Sequence, residues 1–158
     1  MTLGGVSHLA IGVRDMDRSL VFYRDQLGME VTSDREQKLA PSEMYADAAG
    51  ASSRRVAQLR WADDPDAPFL VLSTFPAGTG TPLRLDQVGM HHVGLWVTDL
   101  AGKAERLRAA GVRFVMEPTA TDARGYGGRK GDKVLTCLFE DPDGTILQFD
   151  ERLAEPPA

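Results

Sequence analysis

The sequence predicts an α+β fold built from two tandem modules, each running strand, helix, strand, strand, strand. Three observations carry this. HLAIGVRDM at 8–16 and HVGLWVTDL at 92–100 share a leading His, an alternating apolar run and a late Asp. DPDAPFLVL at 64–72 aligns with DPDGTILQF at 141–149 without a gap. A helix-period apolar pattern follows the first phrase in both copies, and such self-similarity is the signature of a duplicated unit.

Each element has its own signal. In the first strand Leu9, Ile11 and Val13 alternate with His8, Ala10 and Gly12; in its second copy Val93, Leu95 and Val97 alternate with His92, Gly94 and Trp96. Met16, Leu20, Tyr23 and Leu27 then form one apolar helical stripe, echoed by Leu100, Ala104 and Leu107. Asp15 and Asp99 are N-cap residues by type and place, and Gly28 and Gly111 are helix stops. Short strands are expected at Met29–Thr32 and Val112–Met116, and hairpins pair Arg55–Trp61 and Val134–Phe139 with the strands after the two DPD turns. A short helix is expected near Ser42–Ala49, and 117–133 reads as a mobile, lid-like loop. The chain is expected to form one domain over 1–158, with module one at 5–75, a Gly/Pro/Thr-rich linker at 76–89 and module two at 90–152.

Composition narrows the classes of function. The 158 residues are 42% hydrophobic and 26% charged, ordinary for a globular chain, and the net charge of −5 argues against a general nucleic-acid binder. No apolar run is long enough to span a membrane and no secretion signal is expected at the N-terminus. A single cysteine, Cys137, rules out an internal disulfide and suits a reducing cytoplasm. A small-molecule partner is therefore expected.

Strand parity selects the candidate site. If the apolar sets face the helices, His8 and His92 point to the opposite face, each followed two residues on by a very small residue. On the last strand Leu147 and Phe149 face the core, while Ile146, Gln148 and Asp150 share the other face. Val71 is the repeat partner of Gln148.

Three stretches, SHLAIGVRDMDRSLVFYRDQLGMEV (7–31), HHVGLWVTDLAGKAERLRAAGVRFV (91–115) and FEDPDGTILQFDE (139–151), give the chain a specific likeness to a known family. It resembles the vicinal oxygen chelate superfamily of glyoxalases, epimerases, extradiol dioxygenases and bleomycin or fosfomycin resistance proteins. The resemblance implies two βαβββ modules whose mixed sheets curl around an open cup. It also implies a homodimer, and a divalent metal chelated by two neighbouring oxygens of the substrate. By position the implied metal ligands are His8, His92 and Gln148. The sequence departs from the family pattern twice, with Val71 where isomerases place a fourth ligand and Gln148 where a carboxylate is usual.

The departures shape the expected chemistry. Two imidazoles and one oxygen with open positions suit Fe(II), with Mn(II), Ni(II), Zn(II) and Co(II) as alternatives. A neutral amide leaves such a site one unit more positive than a carboxylate does, weakening metal retention and strengthening Lewis acidity. Isomerase chemistry needs a base. Neither Val71 nor Gln148 can serve, Glu151 has the wrong parity, and Asp150 lies one pleat further along. The favoured expectation is therefore a metal-dependent, dioxygenase-like enzyme. A glyoxalase- or epimerase-like isomerase or lyase and a metal-free drug-binding protein are the alternatives. Tyr126 is the acid–base candidate, Trp96 a wall against the substrate, and Arg124, with Arg129 and Lys130, an attractor for substrate anions.

Overall fold

The computed structural model describes residues 4–41 and 50–153, so the helix expected near Ser42–Ala49 lies outside the described residues. The chain divides into two compact units, Met1–Gly80 and Thr81–Ala158. In the first, β1 (His8–Gly12) leads into α1 (Met16–Leu20), which widens into π-helical turns over Val21–Gln26 before β2 (Glu30–Lys38), β3 (Ser53–Arg60) and β4 (Phe69–Thr74). In the second, β5 (His92–Trp96) is followed by α2 (Leu100–Ala109), β6 (Phe114–Asp122), a 3-10 turn at Ala123–Tyr126, β7 (Lys133–Glu140) and β8 (Ile146–Arg152). The sheet orders are β1-β4-β3-β2 and β5-β8-β7-β6, with only the β1–β4 and β5–β8 pairs parallel. Both sheets are mixed and unclosed, and the βαβββ module occurs twice.

The parity argument places the core. Met16, Leu20 and Tyr23 are buried in the first unit, as are Leu59, Leu70 and Leu72 of its sheet. Phe22 is buried as well, stacked edge-on against Tyr23 at 5.0 Å. The wider π turn, closed by Leu27 N–H on the Phe22 carbonyl at 3.0 Å, turns both of these adjacent rings inward, which a 3.6-residue period does not anticipate. In the second unit Leu100, Ala104 and Leu107 of α2 are buried, as are Cys137, Phe139, Leu147 and Phe149. The Phe139 and Phe149 rings meet at 4.7 Å. Asp15 accepts from the Arg18 N–H and Asp99 from the Gly102 N–H, so both expected caps are made. Gly28 and Gly111 end the helices at φ 78° and 81°, a conformation open to glycine without strain.

β2 and β6 are much longer than expected, running to Lys38 and Asp122. Each is a sheet edge, hydrogen-bonded on one side and largely exposed, so polar residues occupy positions that an alternation rule reads as loop. Pro118 sits between the two halves of β6, where the register shifts between Met116 and Thr119 and no ladder donor is needed. The expected lid at 117–133 is therefore mainly strand and 3-10 turn. Its lower part is fixed by Asp122, whose carboxylate accepts from the Arg124 N–H at 2.9 Å.

Candidate active site

The non-helical face of the second sheet carries a pocket. His92, Gly94 and Trp96 of β5, Gln148 and Asp150 of β8, and Tyr126 of the 3-10 turn line a cavity of about 430 Å³, within the usual range for a small-molecule site. The parallel β5–β8 register sets Gly94 beside Gln148 and Trp96 beside Asp150, which puts these alternating side chains on one surface.

The polar centre is a triangle. Tyr126 Oη donates to Asp150 Oδ1 at 3.0 Å. Gln148 Nε2 donates to both Asp150 oxygens at 2.8 and 3.0 Å and to Tyr126 Oη at 2.9 Å. Asp150 is only 5% exposed, so a charge at that depth needs such donors. Gly94 lies beside this carboxylate, its Cβ position 3.4 Å from Asp150 Oδ2, an ordinary van der Waals separation. The carboxylate leans back along the strand to meet the Gln148 amide. The pleat that separates Asp150 from Gln148 in sequence therefore does not remove it from the site, and this corrects the sequence expectation.

Electrostatics sort the protonation states. Burial, then the neighbouring charge of His91, holds the His92 imidazole below its usual range and favours the neutral, ligating form. Burial, then the hydrogen bond and charge of Asp150, pushes the Tyr126 phenol upward, so it stays a donor. Burial also raises the Cys137 thiol to about 11, which leaves it unreactive in the core.

Each unit offers an imidazole whose Nδ1 is engaged by its neighbour. His92 Nδ1 lies 2.7 Å from His91 Nδ1, and in the first unit His8 Nδ1 lies 3.1 Å from Ser7 Oγ. In both repeats the preceding residue engages Nδ1 and leaves Nε2 available, the pattern found where a protein orients a metal-binding imidazole through its other ring nitrogen. Gln148 follows the same logic: Nε2 is committed to Asp150 and Tyr126, and Oε1, the better metal donor, has no hydrogen-bond donor among the described residues. Among the described residues no group of three His, Cys, Asp or Glu side chains is placed to hold a metal. A three-donor centre would need the amide.

The remaining expectations divide. Trp96 lines the pocket, half-exposed, with its ring 5.5 Å from that of Tyr126. Arg124 is not among the lining residues; its guanidinium turns to Asp122 at 2.7 Å. Arg152, which strand parity puts on the Gln148 face, stands over Trp96, 4.5 Å from the ring centroid, a placement that no local sequence signal announces. Glu151, by contrast, turns to the helix side, as its parity requires. It accepts from the Asp99 and Leu100 N–H groups at 2.8 and 3.0 Å. Val71, the partner of Gln148 in the repeat, is buried and apolar. No described helix is long and apolar enough to cross a membrane.

Comparison with known proteins agrees with this architecture. A probable chloroplastic lactoylglutathione lyase of Arabidopsis thaliana is 30% identical over 146 residues, covering 92% of this chain, which spans only 35% of that protein. A lactoylglutathione lyase of Haemophilus influenzae is 28% identical, with 92% of this chain and 91% of the relative covered. The crystal structure of a glyoxalase family protein from Bacillus cereus superposes with a TM-score of 0.75 at 17% identity, over 98% of this chain and 97% of that one. A model of the Glyoxalase/Bleomycin resistance protein/Dioxygenase superfamily matches residues 5–149. With the duplicated βαβββ module and nearly the whole length matched, this chain belongs to that superfamily.

Proposed function

We propose that the protein is a metal-dependent isomerase or lyase of the glyoxalase type, moving a proton between neighbouring carbons of a small α-oxo substrate. The observation that carries the reading is the Asp150 carboxylate, buried in the pocket and held by Tyr126 and Gln148. The oxygenase-like expectation rested on the lack of a base, and Asp150 removes that ground. The names of the Arabidopsis and Haemophilus relatives point the same way, making the hemithioacetal of a 2-oxoaldehyde with glutathione the first substrate to try.

The ligand set we propose is His8, His92 and Gln148, for a first-row divalent ion that includes Fe(II). When bound, such an ion polarises the two neighbouring substrate oxygens and lowers the cost of taking the proton from carbon. Asp150 accepts that proton; the C–H electron pair moves into the carbon–carbon bond, and the carbonyl oxygen takes the charge. Asp150 then returns the proton to the adjacent carbon while the hydroxyl proton of the first carbon passes to the oxygen of the second, so the product is an isomer, a 2-hydroxy thioester, and no external oxidant is needed. Tyr126, kept protonated, and the Gln148 amide hold the carboxylate in place by hydrogen bonds. We further propose that the enzyme works as a cytoplasmic homodimer.

The test is Asp150→Asn. The variant should retain its metal ion and lose about 10²- to 10⁴-fold in kcat, the usual worth of a positioned base. Wild-type turnover of the hemithioacetal with the variant equally active would refute the assignment. Substrate-linked oxygen uptake by the wild type would restore the dioxygenase reading.

A further inference from the structure

β8 presents Gln148, Asp150 and Arg152 on three successive same-face positions, and such positions are spaced by about 7 Å. The last of them differs in kind from the other basic residues near the site. Arg124 is paired with Asp122, and Arg113 with Glu140. Among the described residues Arg152 has no carboxylate partner, and its guanidinium rests on the ring of Trp96. Trp96 itself is 53% exposed, a large apolar surface left open where the pocket meets solvent.

A cation stacked on an indole keeps its in-plane N–H donors available, because the ring attracts it through the π face alone. The stack fixes the guanidinium plane, so little freedom remains to be lost on binding. A planar, bidentate acceptor matches that fork, and a carboxylate is the commonest such group. An anionic ligand also needs a nearby cation here, since the pocket floor already carries the Asp150 carboxylate and the chain as a whole is acidic.

We propose that Arg152, held on Trp96, is a specificity-determining residue that binds a carboxylate at the remote end of the substrate. That carboxylate lies on the Arg152 side of the carbon that gives up its proton. The placement of the reacting carbon rests on the function proposed for Asp150; the carboxylate subsite itself does not.

The experiment measures binding rather than turnover. The full chain, supplied with one equivalent of Zn(II), is titrated calorimetrically with 2-hydroxyadipate and with 2-hydroxyhexanoate. Both offer vicinal oxygens and the same carbon chain, and they differ in a terminal carboxylate against a methyl group. The wild type should prefer the dicarboxylate by about tenfold or more, as charge-assisted bonds to a fixed fork imply. Arg152→Ala should abolish that preference while leaving 2-hydroxyhexanoate within about twofold, and Arg152→Lys should restore only part of it. Trp96→Ala should weaken the preference by freeing the guanidinium. Asp150→Asn separates the two readings, because it should keep the preference even though it is inactive. Equal affinities of the wild type for the two acids, an undiminished preference in Arg152→Ala, or no binding of 2-hydroxyadipate would overturn the proposal.

Discussion

Glu151 and Asp150 are adjacent acids on one strand with opposite assignments, and replacing Glu151 tests the parity that separates them. Its two oxygens accept from the Asp99 and Leu100 N–H groups at 2.8 and 3.0 Å, two of the donors that the start of α2 leaves without intrahelical partners. A hydrogen bond to a charged group is worth about 1.5–3 kcal/mol; the low end applies to Asp99, which is exposed and can recruit water. The favourable position of a negative charge at a helix N-terminus adds about 0.3–1 kcal/mol. Asp99 also sits at φ 54°, a left-handed conformation that costs about 1 kcal/mol or more and persists only when its surroundings hold it. Removing Glu151 lets that residue relax and recovers part of the loss. Glu151→Ala should therefore cost about 2 kcal/mol and Glu151→Gln, which keeps one acceptor, about 1 kcal/mol. For a chain of this size the first corresponds to a Tm lower by about 4–8 °C. Urea unfolding followed by circular dichroism, with metal binding measured on the same samples, is the assay. Unchanged stability, or an intact fold that has lost its metal affinity, would refute the placement of Glu151 behind the sheet and with it the face assignment of Asp150.

Other expectations follow from the same geometry. Gln148→Glu adds the missing charge at the amide position and should tighten metal binding by tenfold or so, but it also sets a second carboxylate against Asp150, so turnover should fall; equilibrium dialysis and kinetics read the two effects. Tyr126→Phe removes one donor to Asp150 and should lower kcat by about tenfold with metal content unchanged, checked by steady-state kinetics and metal analysis. Arg55 holds Asp34 bidentately at 2.9 and 2.7 Å and Asp17 at 2.8 Å, and its guanidinium keeps the Asp34 carboxyl below the usual range. A depressed carboxyl stabilises the fold above its unfolded pKa of about 3.9 and loses that contribution as pH falls through the folded value. Arg55→Ala should thus cost about 1 kcal/mol at neutral pH and progressively less below about pH 4, measured by urea titrations at several pH values.

Much of the architecture is legible in the sequence because a duplication states it twice. The two His-led strands, the paired Asp caps and the DPD turns give element order, and period-2 alternation puts His92, Trp96 and Gln148 on the face where the pocket lies. What stays hidden depends on long-range contact. Asp150 has the right parity, yet nothing local shows that Tyr126, 24 positions earlier, returns to donate to it. The choice between Arg124 and Arg152 is decided by neighbours: an aspartate two residues away captures the first, and an indole across the strand pair supports the second. The lengths of β2 and β6 are obscured because an edge strand satisfies its backbone on one side while its side chains stay polar.

The account turns on Asp150 moving a proton in this pocket. The most direct measurement is an NMR time course, under nitrogen, of metal-loaded wild type and Asp150→Asn acting on a 2-oxoaldehyde hemithioacetal deuterated at the carbon that gives up its hydrogen. The account predicts that the wild type forms the 2-hydroxy thioester without dioxygen, with the label moved to the adjacent carbon or exchanged into water, while the variant leaves the labelled position intact. Label loss at the same rate in both proteins, or no conversion by the wild type until oxygen is admitted, would contradict it.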